Sequence, residues 1–187
     1  MNRQRPGLVI LDRDGVINED SDDYIKSADE WLALPGSLDA IARLNHAGIP
    51  VAVATNQSGI GRGLYTIEAL NEIHAKLVRA LSRIGGHIEG IFFCPHLPDS
   101  GCECRKPAPG LLYQASRRFN VPLDGVPFVG DKRSDVLAAQ SCGAQPMLVR
   151  TGKGMRTHNE FPDLHDLPWF DDLSEAVDFI LIDGRSA

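Results

Sequence analysis

The sequence Gly7-Leu8-Val9-Ile10-Leu11-Asp12-Arg13-Asp14-Gly15 joins a short apolar run to an Asp-rich turn, and the architecture of this 187-residue chain follows from it. The run over 7–11 predicts a strand buried on both faces, because such strands are continuous apolar segments. Asp12 and Asp14 then lie two residues apart just beyond that strand. Asp12 can attack phosphorus while Asp14 exchanges a proton with the leaving group and then with water. The alternative interpretation is an ordinary Asp-rich turn.

Outward from this stretch, strand-like and helix-like segments alternate along the chain. Further strands are predicted over 49–54, 88–93, 126–129 and 147–149, and helices over 37–47, from Thr66 to near Gly85, and over 111–119, 134–141 and 173–182. This alternation predicts an α/β fold with an open parallel sheet and helices on both faces. We expect a single domain over 1–187. The long connections 15–35 and 94–107 are expected to be functional, because long ordered loops usually are.

Composition narrows the possible functions. The chain has 43% hydrophobic and 24% charged residues and a net charge of −6, without the basic face that a nucleic-acid binder needs. No apolar run reaches membrane-spanning length, and the N-terminal residues do not resemble a secretory signal. We therefore expect a cytoplasmic protein that binds neither nucleic acid nor membrane. Separately from composition, we expect a monomer.

Reactive side chains follow the other predicted strands, where ligands bind in open parallel sheets. Thr55-Asn56-Gln57-Ser58 offers a hydroxyl and backbone N–H groups that can cradle a phosphoryl group, although a helix-capping turn is the alternative. Lys106 can neutralise phosphate and a charged nucleophile. Asp131 can complete an oxygen-rich magnesium site. We assign Lys132 to substrate binding, and Asp135 to ordering the loop or a metal-bound water.

These four segments, each at a strand end and in this order, resemble the signature motifs of the haloacid dehalogenase superfamily. The resemblance covers nearly the whole chain and implies a Rossmann-like sheet without a large inserted cap. It also implies that Asp12 is the nucleophile and Asp14 the acid and base, while Thr55 and Lys106 stabilise the phosphoryl oxygens. The implied Mg²⁺ ligands are the Asp12 side chain, the Asp14 main-chain carbonyl and Asp131.

A phosphorylated receiver protein also combines Asp, Thr and Lys on a similar sheet. Receivers place the phosphorylated Asp after the third strand, however, and here the third strand ends in Cys94. This disfavours the non-enzymatic interpretation.

Four soft metal ligands lie within eleven residues of the second long loop. Cys94, His96, Cys102 and Cys104 form a plausible closed tetrahedral zinc set, whereas a disulfide is disfavoured in the cytoplasm and four unrelated residues remain the third possibility. With no open position the zinc would be structural. It would pin the loop that delivers Arg105 and Lys106.

Three segments, 56–63, 94–107 and 149–153, resemble one subgroup of that superfamily, the bacterial heptose-bisphosphate phosphatases and the related histidinol-phosphatase domain. The zinc loop fits both groups, and the other two segments look like the heptose enzymes, apart from Gly61 where those usually have Ala. The resemblance to the heptose enzymes implies removal of the 7-phosphate of D-glycero-D-manno-heptose 1,7-bisphosphate, a step that feeds lipopolysaccharide core assembly.

This resemblance and the charges together suggest substrate contacts. A bisphosphate needs a second cationic site, and Arg105 can hold the distal phosphate bidentately. Arg62 can assist, and the alternative for it is an ordinary solvated loop arginine. An acidic flap, Glu19–Asp23, is expected to contact sugar hydroxyls through Asp20, Ser21, Asp22 and Asp23. An acidic flap also suits the cationic end of histidinol phosphate, which keeps that alternative open.

Overall fold

The computed structural model describes residues 5–183, and within them a single sheet of six parallel strands carries the fold. The strands are β1 (Val9–Leu11), β2 (Val51–Asn56), β3 (Gly90–Cys94), β4 (Pro127–Gly130), β5 (Gln145–Val149) and β6 (Trp169–Phe170), in the order β3-β2-β1-β4-β5-β6. This confirms the open parallel sheet that the sequence predicts.

Strand β1 shows why the apolar run has no polar face. Val9 and Leu11 belong to one apolar cluster, while Leu8 and Ile10 belong to a second. Successive side chains of a strand point to opposite faces, so both faces of β1 are covered. All four side chains are fully buried.

Besides a short 3₁₀ helix at Pro162–Leu164, the described residues hold seven α-helices: α1 (Ser37–His46), α2 (Ser58–Gly61), α3 (Ile67–Ser82), α4 (Gly110–Phe119), α5 (Arg133–Gln140), α6 (Gly154–Glu160) and α7 (Leu173–Asp183). Helices α1, α3 and α7 supply buried residues to the cluster that contains Val9, and α4 and α5 supply them to the cluster that contains Ile10. Helices therefore cover both faces of the sheet, as expected.

The element boundaries differ from the predicted ones by a few residues. Strand β1 begins at Val9, and α3 ends at Ser82, three residues before the predicted glycine. Thr66 is the expected N-cap, since its hydroxyl accepts a hydrogen bond from the Ala69 N–H at 3.2 Å. Sequence reasoning missed α2, α6 and β6, because four-, seven- and two-residue elements are too short to show a periodic pattern.

The sheet order places the carboxyl ends of β1 and β4 side by side at the point where the strand order reverses. Ligands of open α/β sheets bind at such switch points. The connection 12–36 after β1 folds back on itself, with Glu19 N–H donating to Leu32 O and Leu34 N–H to Ile17 O, both at 2.9 Å. Within residues 5–183 no cap domain interrupts the fold, and none of the helices is long and apolar enough to cross a bilayer.

Adjacent residues of α3 provide a matched test of this packing. Leu77 is fully buried and Val78 is 42% exposed. Leu77→Ala should lower the free energy of unfolding by about 2–5 kcal/mol, because it leaves a cavity in the core. Val78→Ala should change it by no more than about 0.5 kcal/mol. Urea denaturation of both variants measures these values, and equal losses would contradict the assigned face.

Candidate active site

A buried ammonium joins two carboxylates at the center of the switch point. The Lys106 Nζ lies 3.0 Å from Asp12 Oδ1 and 2.7 Å from Asp135 Oδ1, and it donates to the Ala54 carbonyl at 2.8 Å. Burial alone would lower the pKa of Lys106, but Asp12 and Asp135 outweigh it and raise that pKa. Lys106 is therefore a fixed positive charge beside Asp12.

The pKa of Asp12 is raised, first by burial and then by the negative charge of Asp135, although the Lys106 charge opposes both effects. A carboxylate in such surroundings is stabilised by any further cation. Asp12 accepts one backbone hydrogen bond, from the Arg13 N–H at 2.7 Å.

Asp12, Asp131 and Asp135 form a compact carboxylate cluster. Each offers an oxygen, and these oxygens all lie within 4.8 Å of one another. Burial, followed by the charges of Asp12 and Asp135, raises the pKa of Asp131 to about 7 against the opposing charge of Lys132. The Lys132 Nζ is 3.0 Å from Asp131 Oδ1 and 4.0 Å from Asp12 Oδ2. The oxygen ligands and their unfavourable mutual charge fit a Mg²⁺ ion.

Two glycines allow the chain to close around Asp131. Gly15 and Gly152 have positive φ, and a Cβ on either would lie 2.2 and 2.4 Å from Asp131 Oδ2. The Lys153 N–H donates to the same oxygen at 2.8 Å, and the Thr151 hydroxyl donates to Gly15 O at 2.7 Å. The segment after β5 thus holds the carboxylate that follows β4.

The Asp14 side chain is not part of the carboxylate cluster and is surrounded by hydrogen-bond donors. Its oxygens accept from the Arg13 guanidinium at 2.9–3.1 Å, from Asn18 Nδ2 at 2.9 Å and from Gln57 Nε2 at 2.8 Å. Burial raises the pKa of Asp14, but the Arg13 charge and these hydrogen bonds together lower it below its usual value. Asp14 is consequently held as a carboxylate.

Arg13 is itself fully buried. Its Nη1 lies 3.2 Å from His74 Nε2. Burial and the Arg13 charge lower the pKa of His74 to about 4. His74 is therefore neutral near pH 7 and can accept the hydrogen bond from Arg13.

A cavity of about 250 Å³ opens above these groups. Of the predicted site residues, the structure brings together at its walls Asp12, Asp14, Asp20, Thr55, Asn56, Gln57, Arg105, Lys106 and Lys132. Asp131 lies in the adjoining carboxylate cluster. Ser21, Asp22, Asp23, Ser58 and Arg62 do not line the cavity, and Asp22, Asp23 and Arg62 are exposed.

Sequence reasoning missed three residues that line the cavity, Tyr24, Ile25 and Ser134. Tyr24 has φ 65°, a backbone conformation that non-glycine residues rarely adopt. A Tyr-Ile pair carries no sequence signature of this left-handed backbone. Ser134 was recognisable only by its proximity to Asp135.

The flap is attached by ion pairs. Asp20 Oδ2 lies 3.4 Å from Lys132 Nζ and 4.0 Å from Lys153 Nζ, and Asp22 pairs with Lys153. Lys132 therefore connects the flap to the carboxylate cluster.

The zinc ligands predicted from the sequence converge. Sulfur–sulfur distances among Cys94, Cys102 and Cys104 are 3.2–3.6 Å, and His96 Nδ1 lies 3.4 Å from Cys94 Sγ and 3.3 Å from Cys104 Sγ. A tetrahedron with metal–sulfur bonds of about 2.3 Å has edges of about 3.8 Å, close to these separations, whereas a disulfide requires about 2.05 Å. The cysteines are thiols. The cluster fits a closed zinc site.

Two sets of hydrogen bonds position this zinc loop and Lys106, which follows its last cysteine by two residues. Asn56 brackets the backbone of Lys106, donating to its carbonyl at 3.0 Å and accepting from its N–H at 3.1 Å. The Arg105 Nη1 donates to His96 O at 3.3 Å. The loop is thereby positioned at both the metal end and the active-site end.

Known proteins resemble this chain in sequence and in fold. The HAD-hydrolase-like family model matches residues 103–176. The D-glycero-beta-D-manno-heptose-1,7-bisphosphate 7-phosphatase of Bordetella bronchiseptica is 57% identical over 80% of this chain and 84% of its own length. The Pseudomonas aeruginosa protein of the same name is 52% identical, covering 93% of this chain and 97% of the relative.

A solved structure matches as well. The crystal structure of D,D-heptose 1,7-bisphosphate phosphatase from B. bronchiseptica, complexed with magnesium and phosphate, has a TM-score of 0.91 and 50% identity. The match covers 94% of this chain and 98% of that one.

The depressed pKa of His74 makes stability depend on pH. Because the folded-state pKa lies below the unfolded value of 6.5, unfolding takes up a proton between pH 6.5 and about 4. Stability is therefore lost as pH falls through that window, by on the order of 3 kcal/mol in total. His74→Gln keeps an acceptor for Arg13 but cannot titrate, so its unfolding free energy should fall less steeply.

Denaturation curves at several pH values between 7 and 4.5 measure this difference. His87→Gln is the matched control, since the His87 side chain is 60% exposed. A decline in His74→Gln as steep as in the wild type would contradict the assignment.

The zinc cluster makes a second prediction. Cys102→Ser should lose the metal and lower the melting temperature, because one ligand of a closed site is removed. Cys142→Ser, outside the cluster, should retain about one zinc ion per chain. Elemental analysis and thermal denaturation measure both. Wild-type protein purified without chelator but free of transition metal would refute the site.

Proposed function

This chain belongs to the D-glycero-β-D-manno-heptose-1,7-bisphosphate 7-phosphatase family of HAD-like hydrolases, and we propose that it removes the 7-phosphate of that sugar through a phosphoaspartate on Asp12. The observation that carries the proposal is the pairing of Asp12 with the buried Lys106 beside Asp14, in a cavity open to a small ligand. Close relatives with this activity at 48–57% identity disfavour the histidinol-phosphate alternative.

In the first half-reaction an Asp12 oxygen bonds to phosphorus, and the bond between phosphorus and the sugar oxygen breaks. That oxygen keeps the electron pair and takes a proton from Asp14. An approaching phosphate opposes the negative charge on Asp14 and so favours the protonated form needed at this stage.

In the second half-reaction water attacks the phosphorus and gives its proton to Asp14. The bond from phosphorus to Asp12 breaks, and inorganic phosphate is released. The hydrogen bonds that hold Asp14 as a carboxylate suit it to this step. Thr55 and Lys106 are placed to stabilise the transferring oxygens.

Magnesium is part of this reaction. Asp12, Asp131 and the Asp14 main-chain carbonyl would hold it, and Asp135 is the additional carboxylate of the cluster. When bound, Mg²⁺ supplies positive charge that offsets the negative charge of the phosphoryl group.

The phosphate that is not transferred requires a second cation. Arg105 borders the cavity, and its guanidinium can grip a phosphate bidentately. Lys132 and Asp20 also border it and can contact the sugar. Ser21, Asp22, Asp23, Ser58 and Arg62 lie outside the walls, so any contact from them would require the flap or the loop to close over the ligand.

The wider biological setting completes the proposal. The product, a heptose 1-phosphate, retains the group needed for nucleotide activation on the way to lipopolysaccharide core. The names of the relatives specify the β anomer, which we expect here too. We further propose a cytoplasmic monomer and a single domain over the whole chain.

The decisive comparison separates binding from chemistry. Arg105→Ala should lower kcat/KM for the heptose bisphosphate by roughly 10–150-fold, the equivalent of about 1.5–3 kcal/mol for one charge-assisted contact. It should hardly affect aryl monophosphates, which have no second phosphate. Lys106→Ala should depress turnover of every substrate. Steady-state kinetics with heptose bisphosphate, fructose 1,6-bisphosphate, histidinol phosphate and p-nitrophenyl phosphate provide the measurement.

Because Arg105 also donates to His96 O, zinc content and melting temperature serve as controls. Equal losses on bisphosphate and aryl phosphate, together with zinc loss, would show that Arg105 only braces the loop. Preference of the wild type for histidinol phosphate would overturn the substrate.

A further inference from the structure

The amide of Gln57 makes two contacts that connect the catalytic groups. Its Nε2 donates to Asp14 Oδ2 at 2.8 Å and to Thr55 Oγ1 at 2.9 Å. An amide nitrogen has two hydrogens, so both are engaged. Gln57 is 3% exposed although it borders the cavity.

The orientation of this amide is set by its neighbours. Its Oε1 accepts from the Tyr65 hydroxyl at 2.6 Å and from Arg13 Nη2 at 3.3 Å. A guanidinium can only donate and a carboxylate can only accept, so the oxygen must face Arg13 and the nitrogen must face Asp14. A flipped amide would place oxygen against oxygen at Asp14.

We propose that Gln57 is a positioning residue for the phosphatase reaction, holding the Asp14 carboxylate and the Thr55 hydroxyl in one fixed arrangement. This inference rests on the proposed function. Asp14 must face the leaving oxygen in one half-reaction and water in the other, while Thr55 faces the phosphoryl group between them. A shared donor fixes the distance between the two side chains before the substrate arrives.

Substrates with different leaving groups distinguish a positioning role of Gln57 from a purely structural one. p-Nitrophenolate departs without a proton, so phosphoryl transfer from p-nitrophenyl phosphate to Asp12 does not need Asp14 as an acid. Hydrolysis of the phosphoaspartate still needs Asp14 as a base. Misplacing Asp14 should therefore slow the second half-reaction more than the first with this substrate.

Gln57→Met is the informative variant, because it keeps length and volume but removes both donors. For heptose bisphosphate we expect kcat to fall on the order of 10–100-fold, with KM changed much less. For p-nitrophenyl phosphate we expect a burst of nitrophenolate close to the enzyme concentration, followed by slow turnover. Rapid-mixing absorbance and steady-state kinetics give both results. Gln114→Met, at an exposed position on α4, is the control for the substitution itself.

Other outcomes would overturn the proposal. A raised KM with unchanged kcat would make Gln57 a substrate contact. Equal losses on both substrates without a burst, or no loss, would also refute it. If Gln57→Met does not fold, Gln57→Asn decides instead, since its shorter amide cannot reach both partners. A wild type active on p-nitrophenyl phosphate but not on heptose bisphosphate would refute the proposed substrate, and the burst experiment would still decide the role of Gln57.

Discussion

The rest of the site depends on one buried ion pair, the Lys106 ammonium between Asp12 and Asp135. Three carboxylates within 4.8 Å would be costly in a buried site without positive charge. Lys106 supplies this positive charge from its own side chain, and its Nζ also donates a hydrogen bond to the Ala54 carbonyl. Residues from the ends of β1, β2 and β4 and from the loop after β3 must therefore meet, and the parallel order β3-β2-β1-β4 places these four at one edge of the sheet.

The loop after β3 illustrates how the fold positions a single side chain. The 15-residue connection from Pro95 to Pro109 contains no helix or strand, yet its Lys106 must be placed to a fraction of an ångström. The Cys/His cluster holds one part of this loop, and Asn56 holds the Lys106 backbone on both sides. The Cys/His cluster and Asn56 therefore both help to position Lys106 in the candidate active site.

Much of this arrangement can be predicted from the sequence, because parallel strands bring their carboxyl ends together. Asp12, Thr55 and Asp131 follow recognisable apolar runs, and the zinc ligands are recognisable by type and spacing. What sequence proximity cannot show is the direction of a side chain. Asp20 and Asp22 are two residues apart, yet one borders the cavity and the other is exposed. The orientation of the Gln57 amide likewise depends on Tyr65, which no motif links to the site.

The most direct measurement is rapid-quench mass spectrometry of the enzyme mixed with heptose bisphosphate and magnesium. The mechanism predicts one phosphoryl group on the peptide that contains Asp12, formed before free phosphate appears and absent in Asp12→Asn. The adduct should disappear as the substrate is consumed. Full turnover by Asp12→Asn, or a phosphoryl group on a different residue that forms and decays at the turnover rate, would contradict it.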